Sequence, residues 1–286
     1  MLEMLINPKR AERNSWWMFF IGLVYASLSV LLVNWVFSSD AVLAKYSGIL
    51  VVTFCVMFSI PFVYYTIKLE EKKDSQISGF FRVFKEHSKA LASLLFLFIG
   101  FVVAFSAWYL ILGSGTQNFR AQIETYCMIN KPANFNECVE QYGIEGSTKT
   151  TAFLTSKEKL FSIFQNNIYV LIFTLVFSLI FGAGGIFILA WNASVIAAAV
   201  GIFSKSSLSN LPLGILRYMI HGIPEIGAYF IALLAGGILS IAILKYKVRS
   251  EEFWEALQDS LNLVILSVIV LFVAALIEVF ITPALF

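Results

Sequence analysis

The chain has 286 residues, a net charge of +2, 59% hydrophobic residues and only 13% charged ones. A water-soluble domain normally carries about 25% charged residues, so this composition excludes an ordinary soluble enzyme. The basic residues form no dense cluster of the kind nucleic acid requires.

Six apolar runs reach the length of about 20 residues that a helix needs to cross a bilayer. They are 16–37, 49–67, 90–112, 168–190, 226–244 and 261–281. None holds Lys, Arg or Asp, and Glu278 is the one acid in them. The runs are continuously apolar rather than alternating, which predicts helices and not a barrel. The expected fold is therefore all-α: one polytopic transmembrane bundle over 1–286, of about six spans. The first run is too long for a cleaved signal peptide and is expected to stay as an anchor.

At the N-terminus, residues 3–15 read as a short interfacial helix, with Asn7-Pro8 as its start signal. Trp16 and Trp17 then suit headgroup depth. Span 2 is expected to kink and end near Pro61. The stretch 77–89 alternates Phe80, Phe81 and Phe84 with Arg82, Lys85 and Lys89. It reads either as an amphipathic helix on an anionic leaflet or as a plain basic flank.

Lys and Arg flank span 1 on its N-terminal side and fill the loop between spans 2 and 3. The positive-inside bias therefore predicts a cytoplasmic N-terminus in the cell membrane. Six spans return the C-terminus to that side but strand Lys245, Lys247 and Arg249 on the other. Either nearby acids moderate that loop, or the region 191–225 holds a re-entrant pair.

Residues 113–167 form the one sizeable soluble insertion, expected outside the cell. Cys127 and Cys138 within it are expected to pair and pin a helical hairpin. Cys55 lies in span 2 and reads as packing.

From Ile168 to Phe203 the chain is apolar for 36 residues. As one straight helix it would measure about 54 Å, too long for a core of about 30 Å. It must bend, at Gly182–Gly185 or at Trp191-Asn192, or its tail must re-enter. Stripes of small residues follow: Ala193, Ala197 and Gly201, then Ala228, Ala232, Gly236 and Ser240. Such stripes let helices approach closely in lipid, within the chain or across a homodimer.

Residues 212–240 hold the most polar part of any span. Arg217, His221 and Glu225 are spaced four apart and share a helix face. Gly222 and Pro224 lie between the last two and predict a break in the helix. The charges must be neutralised by one another or by Asn166, Asn167, Asn192 or Glu278. A polar clasp, a solute path and a catalytic site are the three readings. With two histidines in the chain a zinc site is weakly supported. The zincin, nucleophile-elbow and P-loop motifs are absent. No metal or cofactor is expected.

Asn166-Asn167 opening a span, Gly182 and Gly185, Trp191-Asn192-Ala-Ser with Gly201, and His221-Gly-x-x-Glu225 together resemble the stage II sporulation protein M family. Asn7-Pro8-Lys-Arg-Ala-Glu-Arg and the closing Glu278-Val-Phe-Ile-Thr-Pro are similar to its archaeal members. The resemblance implies an integral membrane protein that scaffolds or assembles an envelope complex, with lipid and other envelope proteins as partners, no nucleic acid and no enzyme activity. A transporter or channel component using His221 and Glu225 is the first alternative, and an intramembrane hydrolase the second.

Overall fold

The computed structural model describes residues 7–40, 42–72, 80–112, 118–130, 134–141, 156–206 and 211–285. Among them all regular structure is helical. The helices are α1 (Pro8–Arg13), α2 (Trp17–Phe37), α3 (Ser47–Glu70), α4 (Phe80–Ile111), α5 (Arg120–Asn130), α6 (Phe135–Gln141), α7 (Ser156–Phe181), α8 (Ile186–Ser206), α9 (Leu211–Lys245), α10 (Glu251–Leu276) and α11 (Thr282–Leu285). A π-helical turn, Ile277–Ile281, joins the last two. Six of the helices are long and apolar enough to cross a membrane: α2, α3, α4, α7, α9 and the α10–α11 run.

Pro8 opens α1, where its missing N–H costs nothing. Pro61 does not end span 2. It lies inside α3, which runs on to Glu70. One interior proline removes one backbone bond, and packing on neighbouring helices carries the helix past it. The stretch expected to lie flat on the leaflet is, from Phe80 onward, the first part of α4. Residues 3–6 and 77–79 lie outside the described residues. Ser250 caps α10 by accepting from the Phe253 amide, and Glu251 and Glu252 occupy its positive first turn.

The apolar run 168–203 divides at the first of its expected bends. α7 stops at Phe181, and Gly182 takes a left-handed φ of 63°. Only glycine adopts that conformation without strain, and it is the usual way to terminate a helix. α8 then starts at Ile186. Span 4 is accordingly Leu160–Phe181, not 168–190.

Paired contacts fix the direction of each helix. Ser93 donates to Ser15, and Gly22 packs on Leu97 and Gly100, so α2 and α4 run the same way. Phe37 stacks on Phe54 while Tyr25 meets Phe58, so α3 runs against α2. Asn167 lies beside Glu225, and Ser178 lies against Gly236. The same interval separates both pairs, so α7 and α9 run in parallel. The intervening α8 must therefore make the whole return journey, and its Gly201 reaches Tyr109 near the far end of α4. Gly237 touches Ile67 and Lys245 bonds Glu71, so α9 descends alongside α3. Helices α2–α4 and α7–α9 are thus two three-helix units of opposite direction, and α10 packs against the second.

This ordering resolves the charge conflict. Lys245, Lys247 and Arg249 share one end of the bundle with α1, Lys68, Lys72, Lys85 and Lys89. The C-terminal turn Thr282–Leu285 lies at the other end, beside His221.

The small-residue stripes are used within the chain. Ala193 and Ala197 are buried. Tyr109 covers Gly201, and a Cβ on Gly236 would lie 2.5 Å from the Leu175 carbonyl oxygen.

Candidate functional site

The helix does not break where its polar groups are. α9 is continuous from Leu211 to Lys245, with Gly222 and Pro224 in its interior. Within the expected element 191–225, α8 ends at Ser206 and α9 begins at Leu211, and residues 207–210 lie outside the described residues. Three helices meet around the polar face of α9. From α9 itself, Tyr229 donates to Glu225 Oε1 at 2.9 Å. From α7, Asn167 lies beside Glu225, and Asn166 Nδ2 lies 3.4 Å from the Asn167 Oδ1. From the π-helical turn, the Glu278 carboxylate acts electrostatically on Glu225. One turn further, Thr282 Oγ1 lies 3.4 Å from His221 Nδ1. A π turn adds a residue to the helical repeat and re-aims the side chains it carries, and such turns favour functional positions.

Five expected residues therefore converge: His221, Glu225, Asn166, Asn167 and Glu278. Asn192 does not join them through its amide, which donates to the Ile188 carbonyl of its own helix at 2.7 Å. The side chain of Arg217 lies outside those described. Sequence reasoning missed Tyr229 and Thr282. Each stands four residues after an acid, Glu225 or Glu278, and that spacing was the available signal.

The depth of the cluster differs from expectation. From Glu225 to Lys245 the helix rises about 30 Å, the thickness of the hydrocarbon core. Lys245 marks one face of the bundle through its 3.0 Å ion pair with Glu71. Glu225 therefore stands at the opposite rim rather than in the middle of the slab. Tyr229 and Asn167 are buried, while Glu225, His221 and Glu278 are partly exposed.

The same end carries the α5–α6 hairpin. α5 and α6 are joined by a Cys127–Cys138 disulfide, with Cα atoms 5.8 Å apart. Phe119, Ile123, Cys127 and Val139 are buried against the bundle. Gln122 is buried as well, and its amide donates both to the Gly48 carbonyl (2.9 Å) and to Ser194 Oγ (3.2 Å). The hairpin is thus keyed into α3 and α8. Cys55 is buried and unbridged, as a packing residue should be.

Unbroken apolar helices with polar side chains gathered at their ends define a multi-pass α-helical membrane protein. The chain belongs to the stage II sporulation protein M family, whose model matches residues 18–283. It is 34% identical over 127 residues to the uncharacterized protein MJ0793 of Methanocaldococcus jannaschii, covering 43% of this chain and 70% of that protein. No solved structure matches.

Proposed function

We propose that the chain is a non-enzymatic assembly factor of an envelope complex, with its docking surface on the hairpin end. One observation carries this reading. The α5–α6 hairpin is closed by a disulfide and locked to two membrane helices by a buried glutamine. A surface so held keeps its shape while the free side chains around it, such as Met128 and Glu140, stay exposed. Rigid, pre-organised surfaces lose little entropy when a partner binds. The rim cluster supports the same role, because Glu225 is held by neighbours from its own chain and ties α7, α9 and the π turn together beneath that surface.

The orientation belongs to this reading. With Lys245, Lys247 and Arg249 on the same side as the N-terminal basic residues, the positive-inside bias places that side in the cytoplasm and the hairpin outside.

The test is site-specific photocrosslinking from position 140 in cells. A discrete adduct is expected in the native chain and in Glu225→Gln, and lost in Gln122→Leu, which unseats the hairpin. An adduct indifferent to Gln122→Leu would overturn the reading. So would ion flux in proteoliposomes abolished by Glu225→Gln.

A further inference from the structure

At the end of the bundle opposite the rim cluster, a cavity of about 280 Å³ opens where the two three-helix units meet. Its walls come from both units and from α10. Glu71 closes α3, Lys245 and Tyr246 end α9, and Ala256 and Asp259 face them from α10. The Glu70–His87 pair, 2.6 Å apart, lies deeper between α3 and α4.

Lys245 bridges the seam. Lys245 Nζ reaches from the second unit to Glu71 Oε1 of the first, at 3.0 Å. The same ammonium donates to the Tyr246 hydroxyl and lies 4.4 Å from the centroid of its ring. A carboxylate and a phenol oxygen side by side offer an ammonium group two acceptors. The two partners are held very differently. The Glu71 side chain is 1% exposed and the Lys245 side chain 44% exposed. The acceptor is part of the wall, whereas the cation arrives from the solvent side on a flexible stem. Ala256 is the small residue of the facing wall and leaves the space open. The volume lies at the small end of ligand pockets, which limits an occupant to a compact molecule.

We propose that this cavity binds a primary alkylammonium group, and that Lys245 is a tethered occupant which such a ligand displaces from Glu71. The inference goes beyond the assembly role and does not depend on it. A free amine and the ethanolamine headgroup of a lipid carry the same group, and the cavity stands at the membrane surface where both are met. Displacing Lys245 removes the ion pair between α3 and α9, so occupancy loosens the seam between the units at this end.

The test uses the full chain in nanodiscs of choline and glycerol phospholipids, titrated calorimetrically with n-butylammonium and, at matched ionic strength, with neutral 1-butanol. Saturable binding of butylammonium and none of butanol is expected. Lys245→Met removes the tethered competitor and keeps most of its apolar stem. It should tighten butylammonium binding about tenfold or more, because a tethered group competes at millimolar effective concentration. Tyr246→Leu should weaken binding, and Ala256→Trp should abolish it while leaving the Cys127–Cys138 bridge formed. Discs containing ethanolamine lipid identify the source: apparent butylammonium affinity falls if the headgroup enters and holds if only free amines do. Equal binding of butanol, or no gain in Lys245→Met together with no loss in Ala256→Trp, would overturn the proposal.

Discussion

Gly22 and Gly100 face each other across the α2–α4 crossing, and a Cβ built on either would lie 3.0–3.1 Å from the Cα of the other. Each would also press on a backbone carbonyl, that of Leu97 or of Phe19. Backbone cannot swing aside as a flexible side chain can. Gly22→Val and Gly100→Val should each cost about 1–3 kcal/mol by overpacking. The double variant should cost less than the two together, since one displacement relieves both clashes. Unfolding in mixed micelles measures this. Strict additivity would mean that the helices do not meet there.

The parallel course of α7 and α9 sets the sidedness of the chain. Single cysteines in place of Lys9 and Lys247 should react with an impermeant thiol reagent from one side of sealed vesicles. A cysteine in place of Lys45 or Leu285 should react from the other. Labelling of positions 9 and 285 from one side would show that α8 does not complete its return.

Tyr229→Phe deletes the donor that holds Glu225 Oε1 and leaves a carboxylate oxygen without it. That should cost about 1–3 kcal/mol of stability. Glu225→Gln keeps a hydrogen-bonding oxygen at the same place and removes the repulsion from Glu278. It should cost less than Tyr229→Phe in the same melting experiment. The reverse ranking would show that the charge of Glu225, not its hydrogen bonds, holds the cluster together.

Replacing Cys127 and Cys138 together by serine opens a short loop and should cost about 2–3 kcal/mol. Amide exchange should rise in 118–141 and stay unchanged in α2 and α4. Exchange spreading through the bundle would contradict a hairpin that is an attachment to it.

Asp40 lies between α2 and α3 and accepts the Leu43 and Val42 amides, each at 2.8 Å. The Leu43 bond, then the Val42 bond, holds its carboxyl below the ordinary 3.8. A depressed carboxylate pKa stabilises the fold above the unfolded value, and that contribution is lost as pH falls through the folded one. The turn at 40–43 should therefore loosen only below pH 3.8. A carboxyl-carbon titration of Asp40 with its midpoint at or above 3.8 would contradict the capping bonds.

The spans were legible because hydrocarbon favours helices with long continuous runs of apolar side chains, and five of the six runs overlie the spanning helices, whose ends extend up to ten residues further. The fourth was not, because α7 and α8 are equally apolar and only the backbone of Gly182 separates them. Pro224 misled for the opposite reason. A proline in water ends a helix, but α9 has α7 on one side and α10 on the other, and they hold its turns in place. The members of the rim cluster were mostly legible from helical spacing. Their depth was not, because it depends on where α9 terminates, and the Lys245–Glu71 pair that marks this spans 174 residues of sequence.

The double hydrogen bond of Gln122 has a consequence for biosynthesis. Gly48 leaves the ribosome before Gln122 and Ser194 long after it. The disulfide can close as soon as residue 138 has been translocated, but its hairpin has only half a seat until α8 is inserted. During that interval the apolar underside of α5 is uncovered, so the newborn chain needs shelter until its fifth passage, α8, is complete.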